Sequence, residues 1–263
     1  MSWLGCNRPG PRRLAALVAL ALAAPAAGYL PPASAILKRV VQRRDELRLA
    51  ALEARGSVTF TGEPARRLAS ELGLPAPAAE LTLPALIAVK MPGRCRLELT
   101  PEGVPLAERP AVSLRSGRIL GHRGLDALAP ARALLEGLCT LLGEKSSGNP
   151  DPERALAQGL AARGVTLPEV ALGRLAGRVA WVLGGRPQEA RPQAWVDKQT
   201  FQPVRLVAPL AGAARDVRLL DFGTPVGGDA FPRAAEVWSG NELELRFIIE
   251  KLTQNPRLPD AVF

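Results

Sequence analysis

The sequence has few of the residues on which catalysis and metal binding depend. Among its 263 residues there is one histidine, His122, and aromatic residues make up only 4%. The signature motifs of nucleotide-binding loops, zinc proteases, α/β-hydrolases and Cys-x-x-Cys proteins are all missing. A Ser–His–Asp or Cys–His arrangement would have to use His122, which lies between two glycines in a predicted turn. We therefore predict that the chain is not an enzyme and that it holds no metal and no cofactor.

The net charge points to no particular partner. The formal charge is +9 and the sequence pI is about 10.4, a balance that favours anionic partners. However, the arginines are scattered singly, and the stripe of basic and aromatic residues typical of nucleic-acid binding is missing. We therefore predict a solvated basic surface and no nucleic-acid partner.

The N-terminus has the pattern of a cleavable signal peptide. Arg8, Arg12 and Arg13 precede an apolar run over residues 14–24, and small residues follow up to Ala27. The run is shorter than the ~20 residues that a membrane-spanning helix needs. We predict cleavage after Ala27, with Ala35 as the alternative, so that residues 1–27 are a signal peptide and 28–263 form one exported domain. Cleavage would lower the formal charge from +9 to +6, since three arginines and no acidic residue are removed.

Two cysteines remain after such processing, Cys95 and Cys139. Export to an oxidising compartment makes a disulfide between them plausible. Two buried free thiols are the alternative, and the sequence leaves both open.

Period-two alternation of apolar and polar residues dominates the chain. In "GRCRLELT", Cys95, Leu97 and Leu99 lie on one face of a predicted strand, and the same pattern appears in many later segments. Such alternation gives the sheet one apolar face that packs on the core and one polar face exposed to water, which is typical of an antiparallel sheet. Helical patterns occur at 36–49 and within a predicted helical insertion at about 121–175. Residues 62–79 are predicted to be a loop with one helical turn at 65–72.

The apolar face of such a sheet must be buried by other elements, and the predicted helices are the only candidates. The expected fold class is therefore α+β, a strongly curved antiparallel β-sheet with helices packed on its concave face.

The stretch "WVDKQTFQPVRL", residues 195–206, contains an Asp–Lys pair that resembles an acid/base dyad. The local pattern favours a hairpin instead, in which Asp197 accepts a hydrogen bond from the backbone two residues on. Lys198 and Thr200 complete the turn, and Pro203 begins the next strand where no donor is needed.

The same stretch resembles the W-[IVL]-D-x-x-T-x-x-P-x-R hairpin of bacterial periplasmic lipoprotein-sorting proteins, the LolA/LolB-like superfamily. The segments "DVRLLDFG…FPRAAEVW" and "RFIIEKLTQNPRLPDAVF" are similar to the strands and the C-terminal ending of that family. The resemblance is clearest over residues 175–263. It implies an unclosed half-barrel with a helical lid, in which acyl chains of lipids or lipoproteins are held between sheet and lid.

By this resemblance the apolar faces of strands and lid would bind lipid. The predicted lipid-binding residues are Leu97, Leu99, Leu128, Leu134, Leu135, Leu138, Leu142, Val179, Trp181, Leu183, Leu243, Leu245 and Phe247. Taken residue by residue, an ordinary core position is the simpler interpretation of each.

The family resemblance also implies a function and partners. The expected function is a soluble periplasmic lipid- or lipoprotein-binding protein, a monomer that carries lipoproteins toward the outer membrane between membrane-bound donor and acceptor proteins. The alternative is a sensor or protein-interaction module of the same fold with a filled core. A hydrolase with a pair of acidic residues is the third possibility, and attachment to a membrane face is the alternative location.

Overall fold

A computed structural model of the chain describes residues 30–263, except residues 92, 106–107, 116–117, 122–125 and 143–150. His122 lies outside the described residues. The α-helices are α1 (Ala33–Glu46), α2 (Gly62–Glu71), α3 (Ala129–Leu142) and α4 (Pro152–Ala162). The strands of the first half are β1 (Ala51–Thr61), β2 (Glu80–Lys90), β3 (Arg94–Leu99), β4 (Ala111–Arg115) and β5 (Arg118–Gly121). Those of the second half are β6 (Val170–Leu175), β7 (Arg178–Leu183), β8 (Gln193–Asp197), β9 (Pro203–Leu210), β10 (Ala213–Leu220), β11 (Ala234–Ser239) and β12 (Glu242–Gln254).

All the named strands belong to one antiparallel sheet. Its order is β5-β4-β3-β2-β1-β12-β11-β10-β9-β8-β7-β6. The first and last strands of the chain therefore pair at the centre, and each half of the sheet is a meander that runs to one edge. Within the described residues β5 and β6 pair on one side only, so the sheet is not closed.

The sheet curves around helix α3. This helix contacts β3 and β4 in one half of the sheet and β9, β10, β11 and β12 in the other. Strands β4 and β9 are seven steps apart in the sheet, about 34 Å if the sheet were flat. The 14 residues of α3 span only about 21 Å. One short helix reaches both halves because the sheet wraps around it, which confirms the predicted α+β half-barrel.

The four helices and the concave face share a single hydrophobic core. Apolar residues of α1, α2, α3 and α4 belong to the same buried cluster as the inward residues of the strands. The prediction of a helical insertion at about 121–175 is too long, because residues 170–175 form β6 and pair with β7. The predicted loop at 62–79 begins with α2, in which Pro64 occupies the first turn, where proline is tolerated.

Two irregularities interrupt the central strands. The pairing of β1 with β12 shifts at Arg55 and Gly56, and a Cβ at Gly56 would lie 1.9 Å from the backbone oxygen of Ile248. Only glycine fits this close approach. The pairing of β11 with β12 shifts at Val237, where Leu245 is its partner, so that Leu243 rather than Glu244 pairs with Trp238.

The convex face carries a layer of stacked arginine and tryptophan side chains. The Arg205 guanidinium lies 4.6 Å from the Trp195 ring centroid, and that of Arg218 lies 4.5 Å from Trp238. Asp216 accepts hydrogen bonds from both arginines, at 2.7 Å from Arg205 and 2.8 Å from Arg218. On the convex face of the second half of the sheet, the arginine side chains thus cover the tryptophan rings, and no further layer of structure is needed to do so.

Candidate functional site

The thirteen residues predicted to bind lipid lie mainly inside the filled core. Ten of them are buried, and the half-buried ones are Leu142, Val179 and Leu243. The side chains of Leu134, Leu135 and Phe247 are 0% exposed and belong to one packed cluster. Burial of this kind is expected of core residues and of a closed lipid pocket alike, so their role in lipid binding stays a prediction.

Helix α3 is packed as a core helix. Eleven of its fourteen residues are buried, from Pro130 to Leu141 with Arg132 half-buried. A helix that is buried on nearly all sides belongs to the interior of a protein. Gly137 allows the close approach, because a Cβ there would lie 2.9 Å from a methyl carbon of Val217 on β10. Among the described residues, α3 thus packs directly against the concave face of the sheet.

A buried carboxylate fixes α3 to its surroundings. Glu136 is only 3% exposed and accepts hydrogen bonds from Arg132 (Nε, 2.8 Å) and Arg163 (Nη1, 2.9 Å). The backbone N–H of Ala211, in the turn between β9 and β10, donates a third bond at 3.2 Å. Since Arg163 follows α4, this one carboxylate connects α3 with α4 and with the sheet.

A disulfide adds a covalent connection on the other side of α3. Cys95 on β3 and Cys139 on α3 are bonded, with their Cα atoms 6.6 Å apart. That separation lies in the range that disulfides adopt. Both cysteines are buried, at 1% and 4% exposure, so the bridge is shielded from reductants in solution.

A small apolar crevice lies where α1 and the turn after it meet the sheet. We call it the α1 crevice. Its volume is about 40 Å³, enough for a few water molecules but not for an acyl chain. The wall on the helical side is formed by Val40, Leu47, Leu49, Leu138, Leu141 and Leu142. The opposite wall includes Met91, Phe201, Pro203, Leu219 and Phe222.

Charged side chains of α1 stand at the mouth of the α1 crevice. Arg43 is bonded to Asp229 (Nη2 to Oδ2, 2.5 Å) and to Glu46 (Nη1 to Oε2, 2.9 Å). The hydrogen bond to Glu46 is the main cause that raises the pKa of Arg43. Arg44 donates from Nη1 to the backbone oxygen of Leu142 at 2.5 Å. The arrangement suits an amphiphile, because apolar walls lie below a charged rim.

A larger cleft of about 670 Å³ opens at another position, between α2, the start of α3 and the hairpin of β11 and β12. We call it the charged cleft. Arg215, 9% exposed, lies in it and is bonded to Glu244 (Nε to Oε2, 2.7 Å) and to the backbone oxygen of Leu210 (2.8 Å). The bulge at Val237 breaks the predicted alternation of β12, so Glu244 lines this cleft together with Leu243. A balanced set of arginines and glutamates makes it a poor site for an apolar chain.

In the hairpin between β8 and β9, both carboxylate oxygens of Asp197 are bound by neighbouring groups. Its Oδ1 accepts hydrogen bonds from the backbone N–H groups of Gln199 (2.9 Å) and Thr200 (2.8 Å) and from the Thr200 hydroxyl (3.0 Å). Its Oδ2 is ion-paired with Arg178 at 2.9 Å. Lys198 points elsewhere, with Nζ 5.1 Å from the centroid of the Trp181 ring. Asp197 and Lys198 thus form a turn and not an acid/base dyad.

The buried carboxylates of the described residues are all ion-paired with arginine. They are Glu98, Glu136, Asp197, Asp216 and Glu236. An acid-pair hydrolase needs two carboxylates that face a common substrate, and these five are engaged in separate structural contacts. In the described part of the chain, no three His, Cys, Asp or Glu side chains group as metal ligands would. No helix there is long and apolar enough to cross a membrane.

Sequence reasoning missed most of the α1 crevice. Only Leu138 and Leu142 were among the predicted lipid-binding residues. Phe201 and Phe222 were not identified, although each is an aromatic residue in or next to a turn, where aromatic side chains are uncommon. That position was the one signal in the sequence that could have singled out these two rings, which pack against the edge of the core.

Comparison with known proteins gives similarities at the level of structure. No protein-family model matches the chain, and no curated protein matches it. A LolA superfamily protein, NE2245 from Nitrosomonas europaea, is 12% identical, with 89% of this chain and 98% of that chain covered and a TM-score of 0.46. A domain assigned to outer membrane lipoprotein sorting from Vibrio parahaemolyticus is 10% identical, with 86% and 94% covered and a TM-score of 0.47.

A third solved structure, MucB in complex with MucA(peri), is 16% identical, with 88% of this chain and 58% of that chain covered and a TM-score of 0.30. The first two neighbours are of the kind that residues 175–263 led us to expect. Because all three TM-scores lie below 0.5, the proposals below rest on the geometry of this chain.

Proposed function

We propose that the chain is an exported lipid-binding protein that holds an acyl chain of a lipid or lipoprotein in the α1 crevice. The observation that carries this proposal is the crevice itself, an apolar space below a charged rim, closed by a helix that has no disulfide and no deeply buried ion pair among the described residues. In such a protein the cargo would pass between membrane-bound donor and acceptor proteins in the periplasm.

The size of the α1 crevice determines how binding would occur. At about 40 Å³ it accepts only the first part of a chain, so α1 has to shift outward for more methylenes to enter. Each buried methylene contributes about 0.8 kcal/mol. Six methylenes would thus contribute about 5 kcal/mol before ordering costs. This exceeds the loss of the surface ion pairs at α1, worth about 0–1 kcal/mol each, so the shift of α1 has to be small enough to leave its buried apolar residues covered.

The proposed compartment follows from two independent features of the chain. The first 27 residues have the pattern of a cleavable signal peptide. The bridge between Cys95 and Cys139 is a type of bond that persists in oxidising compartments such as the periplasm.

Native mass spectrometry of protein purified from periplasm, followed by lipid extraction, tests this function. We expect acyl lipid to be recovered with the protein. Leu49→Trp, which fills the α1 crevice, should reduce the recovered lipid at least several-fold. Leu74→Trp is the matched control, because Leu74 is exposed and lies away from the crevice. If no lipid is recovered and no acylated peptide binds, the proposal is wrong.

The fully packed concave face favours a second candidate, a sensor or protein-interaction module with a filled core. In that case the protein would contain no lipid, and Leu49→Trp would leave its binding to a protein partner unchanged. A stable complex with a protein partner, formed equally well by lipid-free protein and by the Leu49→Trp variant, would support this alternative over the first.

A further inference from the structure

The most informative charged group outside the ion-pair networks is Arg44. It lies on α1, half-buried, and is part of the lining of the α1 crevice. Its hydrogen-bond partner in the structure is a neutral group, the backbone oxygen of Leu142. Within the described residues, no carboxylate lies within ion-pair distance of its guanidinium. Within the part of the chain that the structure describes, Arg44 therefore has a positive charge beside an apolar space and no carboxylate paired with it.

Neighbouring charges at the crevice mouth do not remove this imbalance. Asp229 and Glu46 are both bonded to Arg43 and not to Arg44. Burial lowers the pKa of Arg44, and the charge of the exposed Asp45 opposes this effect only in part. A guanidinium in this position is stabilised by any anion that reaches it, because a charge removed from water needs a partner.

The guanidinium has donors left for such an anion. Arginine carries five N–H groups in a planar fork that matches a carboxylate with two parallel hydrogen bonds. One of the terminal nitrogens of Arg44 donates to Leu142. Among the described residues no other acceptor is bonded to this guanidinium, so we expect its remaining N–H groups to be available to a carboxylate, while an attached chain would follow the apolar wall formed by Leu47, Leu138 and Phe222.

We propose that the α1 crevice takes a single-chain amphiphile with one anionic headgroup, a fatty carboxylate, whose headgroup pairs with Arg44. This inference rests on the proposed function, since it assumes that the crevice accepts an acyl chain, and it names the ligand class. A singly charged carboxylate matches Arg44, which has no ion-pair partner among the described residues. A phosphate with close to two charges would be repelled by Asp229 and Glu46 about twice as strongly as a carboxylate. A narrow crevice of about 40 Å³ favours one chain over two.

Calorimetric titration of the delipidated mature protein with three twelve-carbon amphiphiles tests this proposal. The probes are dodecanoate and dodecyl phosphate, each below its critical micelle concentration, and dodecanol below its aqueous solubility. We expect dodecanoate to bind about 10- to 100-fold more tightly than dodecanol, the range that a charge-assisted hydrogen bond supplies. Dodecyl phosphate should bind more weakly than dodecanoate.

Substitution of the guanidinium locates the effect. Arg44→Gln should lower the affinity for dodecanoate to that for dodecanol and leave the affinity for dodecanol within about twofold. Arg39→Gln is the matched control, since Arg39 is an exposed arginine of the same helix that contacts only Gln42 among the described side chains, and it should change neither affinity. Arg44→Lys keeps the charge but not the fork and should give an intermediate affinity, which serves as the second variant if Arg44→Gln does not fold.

The outcomes separate this inference from the proposed function. Equal binding of dodecanoate and dodecanol would overturn the carboxylate site and leave the acyl-chain site intact. Tighter binding of dodecyl phosphate, lost in Arg44→Gln, would overturn the assignment to a carboxylate. Failure of all three amphiphiles to bind would overturn both the inference and the proposed function.

Discussion

Helices α1 and α3 bury apolar faces in the same core, yet they are held there by different means. Helix α3 has a disulfide to β3 and a buried carboxylate that binds two arginines and the turn between β9 and β10. Helix α1 has apolar contacts and two arginines at its C-terminal end, one of which forms surface ion pairs. Burial of a helix in the core therefore does not by itself show whether that helix can act as a lid. Helix α3 is fixed in the core by these connections, and we expect α1 to be the helix that shifts when a ligand enters.

The largest expected effect comes from a charge placed inside α3. Leu135→Asp buries an unpaired carboxyl group at a site with 0% exposure, and we expect it to lower the free energy of unfolding by about 5 kcal/mol or to prevent folding. Leu47→Asp, at the half-buried wall beside α1, should cost only about 1 kcal/mol because water reaches it. Urea unfolding of both variants measures the difference, and equal losses would contradict the difference in burial between the core of α3 and the wall beside α1.

Removal of the disulfide should cause the second largest loss in the free energy of unfolding. Replacing Cys95 and Cys139 with alanine together opens a loop with a sequence separation of 44 residues. On the chain-entropy model this lowers the free energy of unfolding by roughly 4 kcal/mol. The same loss should follow full reduction of the native protein under denaturing conditions and refolding in reductant. A double variant as stable as the native protein would show that the bridge does not fix α3.

Removal of the buried carboxylate should have a moderate effect. Glu136→Ala leaves Arg163 and the N–H of Ala211 without their acceptor, and we expect a loss of about 2–3 kcal/mol, less than for a fully buried pair because the arginines are partly exposed. Glu46→Ala on α1 is the control and should cost less than about 0.5 kcal/mol, since its pair with Arg43 is exposed. Unfolding of both variants in guanidinium chloride compares how much each contact contributes to the free energy of unfolding.

The smallest effect is expected at the rim of α1. Arg43 and Asp229 form an ion pair between partly exposed side chains, so a double-alanine cycle should give a coupling energy below about 1 kcal/mol that decreases in 0.5 M salt. A coupling of about 3 kcal/mol would mean that α1 is held as firmly as α3.

The sequence predicted the sheet well wherever pairing is regular. In β3, the alternation of Cys95, Leu97 and Leu99 correctly identified the inward face, because each apolar residue meets the core and each polar one does not. The prediction fails at the start of β12, since the bulge opposite Val237 adds one residue and changes the phase. Local alternation contains no information about such a register shift in a partner strand.

The candidate site was much less predictable than the fold. Its walls come from α1, α3, the turn at Phe201 and the segment after β10, which only the folded sheet brings together. The charge at Arg44 shows the same problem, because arginine-rich helix ends are common and only the surrounding contacts show which guanidinium lacks a carboxylate. The family resemblance suggested the concave face under α3, and that face is filled.

Photo-crosslinking with a diazirine-labelled fatty acid tests the central claim most directly. The labelled chain, bound to the mature protein and irradiated, should attach to peptides that contain the walls of the α1 crevice, residues 40–49, 138–142, 201–203 and 219–232. An excess of unlabelled fatty acid should remove this labelling. Attachment to the interior faces of β3 and β12, at Leu97 or Phe247, or no saturable attachment at all, would contradict the account.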